Sequence, residues 1–348
     1  MRGPLGDALG VAIAAAKEAG DRIREEFQRA GGPRGIHGHA PVDEAAETLI
    51  RERLRQAFPE AGFRGEETGG TPAAGGERAV WLVDPNDGTV AFLRGYRGSA
   101  VSIALVRDGL PVLGVVHAPT APGPEGEWFA WAEGCGPLVR NGVPVTRAPF
   151  AEDLRPHHVV AVSQSADRSA EANAAAVHPA RYRALPSIAW RLALVAAGDV
   201  EAGVSLNAPG DWDYAAGHAL LRGVGGDLFN EAGRSVRYAG DGSSRTGWCF
   251  GGGEAVCRAL AGRDWNAALD PRRPAAEGRY SLVRLQPGRC EADAGTLSRA
   301  QGCLLGQLCG DNLGSLVEFR SAHDIARQYP DGVRDLQDGG TWNLLAGQ

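Results

Sequence analysis

A short apolar run at positions 79–83 (AVWLV) leads directly into a polar segment at positions 84–89 (DPNDGT). The run predicts a buried strand that stops at Asp84, and a carboxylate at the end of a buried element needs a cation, a hydrogen-bond partner or a shifted pKa. Pro85 fixes the backbone and Gly88 tolerates a positive φ angle, so the polar segment is predicted to be a tight turn. The chain must therefore adopt a fold that compensates the charges of this turn.

The predicted turn can bring oxygen donors and backbone N–H groups to one place. The oxygen donors are the side chains of Asp84 and Asp87 and the carbonyl of Asn86, and the amides of Gly88 and Thr89 can face an anion. For this segment alone, an ordinary surface turn is the favoured alternative, because Asp-Gly turns are common.

Two more acidic segments are distant from the first along the chain. Glu66 and Glu67 precede the strand, and Asp213 lies in the first turn of a predicted helix, on its apolar face. Taken singly, the glutamates are typical of a solvated loop, and Asp213 is typical of an acid favoured by the helix dipole. Together, carboxylates without a Cys/His cluster favour a hard divalent cation, above all Mg²⁺, beside a bound phosphate.

Hydrophobic patterns place these segments in mixed α and β structure. Helices are predicted at 7–29, 43–58 (with Asp43 as its N-cap), 188–197, 211–225 and 254–261, and strands at 79–83, 99–106, 112–117 and 159–162. The pairs Asp108-Gly109 and Asn141-Gly142 predict tight turns, the first of them in a hairpin. The mixed order of helices and strands indicates a layered α/β or α+β architecture.

Composition excludes several classes of protein. The net charge of −6 argues against a nucleic-acid or anionic-membrane partner, and no apolar run approaches the roughly 18 residues of a membrane span. The N-terminus lacks a basic region followed by an apolar block, so no secretory signal is expected. Six cysteines without a C-x-x-C pair in a chain of this length favour a reducing, cytoplasmic location.

The three acidic segments together resemble the inositol monophosphatase superfamily of Mg²⁺-dependent, lithium-sensitive phosphatases. The resemblance is carried by Gly65-Glu66-Glu67, by positions 81–89 (WLVDPNDGT) and by positions 212–217 (WDYAAG), in matching order and spacing over residues 7–262. Positions 212–218 are also similar to the 3′(2′),5′-bisphosphate nucleotidase branch. The resemblance implies a phosphatase domain over residues 1–263, folded as the α-β-α-β-α sandwich of the inositol monophosphatase/fructose-1,6-bisphosphatase type.

The resemblance also implies a role for each matching residue. Glu66 and Asp84, with the Asn86 carbonyl, would hold the metal ion that activates water, and Asp84, Asp87 and Asp213 would hold a second Mg²⁺. Thr89, with Asp43 nearby, would orient the attacking water. The substrate-binding residues implied are Asp87, Gly88, Thr89, Ser187 and Asp213.

The implied partner is a small phosphorylated substrate, either an inositol monophosphate or a 3′(2′),5′-bisphosphate nucleotide. Pro186 and Ile188 replace the glycine and small residue expected around Ser187, so the resemblance leaves the substrate open. Many relatives dimerise, so a homodimer is also left open. His218 is five residues past Asp213 and points about 140° away from it on a helix, so we expect it to be structural.

The last part of the chain differs in composition. Positions 264–297 are predicted to be a linker with one strand at 280–285, and positions 298–348 to be helical. Positions 299–306 (RAQGCLLG) and 310–314 (GDNLG), with Glu318, resemble the opening of ADP-ribosylglycohydrolases. We interpret the segment as an incomplete piece of such a domain and expect no ADP-ribosyl hydrolase activity from it. A glycine-rich helical hairpin is the alternative.

Two classes of function remain open at this point. The first is a Mg²⁺-dependent phosphatase that hydrolyses a small phosphomonoester with water activated by a site of two metal ions. The second is a non-catalytic or regulatory module fused to an ADP-ribosylglycohydrolase whose catalytic part lies outside this chain.

Overall fold

The computed structural model describes residues 4–36, 38–74, 78–123, 125–269 and 294–334. The chain divides into two compact units, residues 1–288 and residues 289–348, which are described separately. Among the helices of the described residues, none has the length and apolar character that crossing a bilayer requires.

The helices of the first unit include all five predicted ones. They are α1 (Pro4–Phe27), α2 (Pro41–Ala57), α3 (Thr89–Phe92), α4 (Ala170–Val177), α5 (Ile188–Ala197), α6 (Asp211–Arg222), α7 (Glu254–Ala261) and α8 (Asn266–Leu269), with a 3₁₀ turn at Gln164–Ser169.

The start of α2 corrects one prediction. The helix begins at Pro41 and its N-cap is Ala40, so Asp43 is not the cap. Proline is favoured at the first helical position because the missing N–H would have no helical partner there. Asp43 therefore lies inside the first turn, with its side chain buried.

The strands of the first unit form two sheets. In chain order they are β1 (Gly62–Gly65), β2 (Gly70–Thr71), β3 (Ala79–Asp87), β4 (Ala100–Arg107), β5 (Leu110–Ala118), β6 (Glu127–Ala132), β7 (Val139–Arg140), β8 (Val143–Pro144), β9 (Val159–Ser163), β10 (Arg181–Leu185), β11 (Ala202–Ser205), β12 (Asp227–Asn230) and β13 (Cys249–Gly252). Within the described residues, the larger sheet has the order β2-β1-β3-β4-β5-β6-β7-β8 and the smaller β10-β9-β11-β13-β12.

Strand β3 is longer than predicted, because it continues past Asp84 to Asp87. Its pairing with β4 is irregular there: Asp84 lies opposite Ser102 and Asp87 opposite Ala100, so β3 holds one extra residue. Such a bulge bends a strand and redirects its side chains. The polar turn is therefore the irregular end of a buried strand.

Both predicted turns are present. Asp108 and Gly109 have φ angles of 50° and 77° between β4 and β5, and Asn141 and Gly142 have φ angles of 51° and 82° between β7 and β8. Two consecutive positive φ angles are typical of a type I′ turn, in which Asp-Gly and Asn-Gly are preferred.

Three buried apolar clusters separate the layers of the first unit. The first packs α1 and α2 against one face of the larger sheet, and the second fills the space around α5 and α6 between the sheets. The third lies on the far face of the smaller sheet, beneath α4 and α7. The predicted α-β-α-β-α sandwich is thereby confirmed.

Strand β3 is buried on both faces, which explains why its sequence is continuously apolar rather than alternating.

The second unit is helical in its described part, as predicted. Its helices are α9 (Ala294–Ser315) and α10 (Ala322–Gln328), and Ser321 caps α10 by accepting the Asp324 N–H at 3.1 Å. Helix α9 begins four residues before the predicted start of this segment at 298. The strand predicted at 280–285 lies outside the described residues.

Candidate active site

Three carboxylates from separate parts of the chain meet in the first unit. Glu66 follows β1, Asp84 lies on β3, and Asp213 is in the first turn of α6. One oxygen from each lies within 4.8 Å of the others, and this is the single group of three or more metal-ligand side chains found among the described residues. The three acidic segments recognised in the sequence therefore converge.

The burial of this cluster changes its electrostatics. Asp84 is 2% exposed, Asp213 is half-buried, and Glu66 is exposed. Burial, followed by the neighbouring carboxylates, raises the pKa of Asp84 and of Asp213 well above its ordinary value. Partial loss of hydration, followed by the charges of Glu67, Asp87 and Glu47, raises the pKa of Glu66 to about 7, and a hydrogen bond with Asp84 opposes the rise. Burial and mutual repulsion therefore make the charged forms of these acids unfavourable unless a cation balances them.

The donor set of the cluster fits a hard divalent cation. All three donors are carboxylate oxygens, the ligands that Mg²⁺ takes in preference to nitrogen or sulfur. A cation would take the place of the protons that the raised pKa values favour on these acids. The arrangement is therefore chemically suited to a Mg²⁺ centre.

Asp87 lies beside the three converging carboxylates rather than within the tight group. Its Oδ2 accepts the Ser187 hydroxyl at 2.6 Å and the Ala189 N–H at 2.8 Å. Burial raises the pKa of Asp87, while these hydrogen bonds and the charge of Arg191 oppose the rise. One oxygen of Asp87 is thus fixed by α5, and its role as a metal ligand stays a prediction.

The turn after Asp84 has the geometry that its sequence predicts. Gly88 has a φ angle of 101°, and the Asn86 N–H donates to Asp84 Oδ1 at 2.7 Å. A Cβ atom at Gly88 would lie 3.1 Å from the Pro186 side chain. Glycine is therefore required here both for its backbone angle and for close packing.

Asp43 and Thr89 are neighbours, as the resemblance implies. Asp43 Oδ2 accepts the Thr89 hydroxyl at 3.0 Å, and Asp43 Oδ1 accepts the Asn86 side-chain amide at 2.9 Å. The Thr89 hydroxyl also lies 3.0 Å from the Asn86 carbonyl, to which it can donate instead. Burial raises the pKa of Asp43 to about 7, with these hydrogen bonds opposing and the acids Glu67 and Glu66 adding to the rise.

Ser187 occupies a position behind Asp87. It is fully buried, and its hydroxyl donates to Asp87 and accepts the Trp190 N–H at 2.9 Å as the N-cap of α5. The structure thus gives Ser187 a supporting contact to Asp87. Direct contact between Ser187 and substrate stays a prediction.

Arg191 is a part of the site that the sequence analysis did not identify. It is 2% exposed on α5, its Nε donates to the Ser187 carbonyl at 3.1 Å, and its Nη1 contacts the Val204 carbonyl. Burial lowers the pKa of Arg191 to about 10, and the charge of Asp87 opposes the decrease. The available signal was an arginine inside an otherwise apolar helix.

His218 is structural, as expected. It is fully buried on α6, with Nε2 at 2.7 Å from Asp227 and Nδ1 at 3.2 Å from the Tyr238 hydroxyl.

Comparison with known proteins identifies two families. The sequence model of the inositol monophosphatase family matches residues 7–262, and that of the ADP-ribosylglycohydrolase family matches residues 292–348. Inositol monophosphatase 1 of Solanum lycopersicum is 32% identical over 247 residues, which cover 66% of this chain and 87% of that protein. The 3′(2′),5′-bisphosphate nucleotidase CysQ of Escherichia coli O157:H7 is 32% identical over 234 residues, which cover 64% of this chain and 90% of that protein.

Solved structures show the same fold. The inositol monophosphatase from Anabaena (Nostoc) sp. PCC 7120 has a TM-score of 0.58 at 24% identity, over 76% of this chain and 96% of its own. The extragenic suppressor protein suhB from Bartonella henselae has a TM-score of 0.57 at 26% identity, over 76% of this chain and 100% of its own. Since the family model spans most of the sequence and these structures share the fold, the chain belongs to the inositol monophosphatase family of phosphatases.

Proposed function

We propose that this chain hydrolyses a small phosphomonoester with the help of divalent cations, Mg²⁺ in the first place. The observation that carries the proposal is the convergence of Glu66, Asp84 and Asp213 within 4.8 Å in a partly buried position. Such a cluster is unfavourable without a cation, and a bound cation in turn attracts a phosphate.

The residues that would hold metal ions are the three converging acids, together with Asp87 and the Asn86 carbonyl. Bound Mg²⁺ supplies two effects in such a site: it lowers the pKa of water and neutralises charge on the phosphoryl oxygens. The protein contributes the fixed positions of the carboxylates, which need no rearrangement during the reaction.

The chain's own residues then orient the water. In one arrangement the Thr89 hydroxyl donates its hydrogen to Asp43 Oδ2, which leaves the Thr89 oxygen to accept a hydrogen bond from a water. Asp43 is held in place by Asn86, so the direction of the Thr89 lone pairs is defined. The amides of Gly88 and Thr89 belong to the turn after Asp84, and successive backbone N–H groups in such a turn are suited to phosphate oxygens.

The two relatives described above support a proposal for the substrate class. The relatives above are an inositol monophosphatase and a 3′(2′),5′-bisphosphate nucleotidase, so we propose an inositol monophosphate or such a nucleotide as substrate. Pro186 packs against Gly88 where the resemblance leads us to expect glycine, so the choice between them requires assay.

The test is hydrolysis of inositol 1-phosphate and of adenosine 3′,5′-bisphosphate by the full chain, with Mg²⁺, with a chelator and with lithium. We expect phosphate release from at least one of them that needs Mg²⁺ and is lost on Asp84→Asn. The exposed acid Asp153 provides the control, since Asp153→Asn makes the same chemical change outside the acidic cluster. Hydrolysis that survives both chelation and Asp84→Asn would overturn the proposal.

The match of residues 292–348 to the ADP-ribosylglycohydrolase family favours a second candidate, a non-catalytic module fused to such a domain. The same assays separate the two functions. Mg²⁺-dependent hydrolysis of either phosphomonoester contradicts the non-catalytic function, whereas Mg²⁺ binding without hydrolysis of either supports it.

A further inference from the structure

Glu47 is a fully buried carboxylate that the proposed mechanism does not use. It lies on α2, one helical turn after Asp43 and on the same face. Its Oε2 accepts the Glu67 N–H at 2.9 Å, and its Oε1 accepts the Thr68 N–H at 2.6 Å and the Thr68 hydroxyl at 2.5 Å. All three donors belong to the two residues that follow Glu66.

The packing around this carboxylate is close. A Cβ atom at Gly65 would overlap the Glu47 carboxylate, so the chain passes directly over Glu47 just before Glu66. Arg51, a further turn along α2, donates from Nη1 to the Thr68 carbonyl at 3.1 Å and lies 3.0 Å from its hydroxyl oxygen. Thr68 is therefore held by two residues of the same helix face.

The other side of Glu66 is fixed to β3. The Glu66 N–H donates to the Val83 carbonyl at 3.2 Å, and Val83 immediately precedes Asp84. The backbone of Glu66 is thus fixed to β3 by its own N–H, and the two residues after it are fixed to Glu47. Asp43, one turn earlier on α2, holds Asn86 and Thr89 in the turn after Asp84.

We propose that Glu47 is a positioning residue that holds Glu66 at the distance from Asp84 that cation binding requires. Helix α2 then fixes two separate ligand-bearing segments with two buried acids one turn apart: Asp43 holds the turn after β3, and Glu47 holds the loop after β1. The inference rests on the proposed metal centre. Partners of metal ligands in such positions typically change metal affinity about 10- to 100-fold when they are removed.

The first experiment measures Mg²⁺ binding to metal-free Glu47→Gln by calorimetry. Glutamine has nearly the same shape but presents an N–H₂ group to one of the loop donors, so one anchoring bond is lost. We expect the Mg²⁺ dissociation constant to rise about 10-fold, while the substrate KM at saturating Mg²⁺ stays at the wild-type value. Glu52→Gln, on an exposed part of the same helix, should bind Mg²⁺ as the wild type does.

Two further variants separate the effect of the hydrogen bonds that anchor the loop after Glu66 from the effect of negative charge near Glu66. Thr68→Val keeps every charge but removes the hydroxyl that donates a hydrogen bond to Glu47. Like Glu47→Gln, it should therefore weaken Mg²⁺ binding. Glu67→Gln removes a charge close to Glu66 but leaves its backbone N–H bonded to Glu47, so it should weaken binding less than Glu47→Gln. If Glu47→Gln does not fold, Thr68→Val decides the question.

The outcomes also distinguish this inference from the proposed function. A wild-type chain that binds no Mg²⁺ overturns the metal centre itself. A wild type that binds Mg²⁺, with Glu47→Gln or Thr68→Val binding it equally tightly, overturns the role of Glu47 and leaves the metal centre standing.

Discussion

Ser187 donates a hydrogen bond of 2.6 Å to Asp87, although 100 positions separate the two residues in the sequence. The same oxygen of Asp87 accepts the Ala189 N–H, and the Ser187 hydroxyl accepts the Trp190 N–H. One serine therefore caps α5 and fixes an acid beside the acidic cluster. The stability of α5 and the orientation of Asp87 are coupled through this hydroxyl.

Replacement of Ser187 should reveal this coupling. Ser187→Ala removes a helix cap and a buried hydrogen bond, so we expect the free energy of unfolding to fall by about 1–2 kcal/mol. We also expect kcat to fall, because Asp87 loses one of its two fixed donors. Urea unfolding and steady-state kinetics measure the two effects. Ser187→Thr keeps the hydroxyl and should retain most of both properties; equal losses in the two variants would contradict the coupling.

For activity, the charge of the Asp87 side chain is expected to matter more than its shape. Asp87→Asn keeps an oxygen that can accept from Ser187 and Ala189, so the free energy of unfolding should stay at or above the wild-type value. The loss of a carboxylate beside the cluster should lower kcat/KM by about 100-fold or more. Wild-type hydrolysis of both inositol 1-phosphate and adenosine 3′,5′-bisphosphate by this variant would contradict a role of Asp87 in the site.

The convergence of Glu66, Asp84 and Asp213 was predictable from the three segments together, although Glu66 alone is typical of a solvated loop. Asp84 ends a continuously apolar run, Asp213 begins a helix on its apolar face, and the three segments match a known family in order and spacing. The φ angle of Gly88 was predictable for the same kind of reason, since the turn sequence itself demands it.

The supporting residues had no such signature. Local sequence predicts Asp43 to be a helix cap, because a capping acid and a buried acid in the first turn look alike; only the family resemblance places it beside Thr89. Glu47 and Arg191 are single charged residues within helices, and local sequence does not show whether a charged side chain faces solvent or a neighbouring backbone. Only the tertiary arrangement brings Glu47 under the loop of Thr68 and Arg191 behind Ser187.

Asp43 should make the metal-free protein less stable at high pH. Its pKa of about 7 in the fold lies above the 3.8 of an ordinary aspartate. The contribution of protonated Asp43 to the free energy of unfolding is therefore fully present below about pH 4 and is lost as the pH rises through 7. Between about pH 5.5 and about pH 8, we expect the free energy of unfolding of the wild type to fall by about 2 kcal/mol more than that of Asp43→Asn.

The Asp43→Asn variant is a close match in hydrogen bonding. Its oxygen can accept from Asn86 and its amide can donate to Thr89, whose own hydrogen can turn to the Asn86 carbonyl. Urea unfolding across this pH range, in chelator, measures the difference. Identical pH profiles for the two proteins would show that Asp43 ionises as an ordinary acid.

Gly88 should tolerate no side chain. Gly88→Ala places a Cβ at a φ angle of 101° and 3.1 Å from Pro186, so we expect a loss of about 1–2 kcal/mol from the backbone and a large fall in kcat. Gly95 provides the matched control, since its φ angle is 78° but a Cβ there would meet nothing within 4 Å. Gly95→Ala should lose similar stability, measured by urea unfolding, and keep its kcat. A Gly88→Ala variant with wild-type kcat would contradict the close packing of the turn.

Arg64 and Asp211 form an ion pair between two segments that each carry a member of the acidic cluster. Arg64 Nε donates to Asp211 Oδ1 at 3.0 Å, and each residue lies two positions before a member of the acidic cluster, Glu66 and Asp213 respectively. Asp211 is 3% exposed, and its other oxygen accepts the Ser244 N–H at 3.1 Å.

Removal of the Arg64 side chain should therefore lower the free energy of unfolding more than removal of an arginine from an exposed ion pair. Arg64→Met leaves a buried carboxylate without its cation, so we expect the free energy of unfolding to fall by about 3 kcal/mol. Arg53, paired with Glu18 at 3.1 Å between two exposed side chains, is the control, and Arg53→Met should cost less than about 1 kcal/mol. Adding Asp211→Asn to Arg64→Met should recover part of the loss, because the unpaired charge is then gone. Urea unfolding of the four proteins measures these differences, and equal costs for the two arginines would show that the Asp211 carboxylate is stable without Arg64.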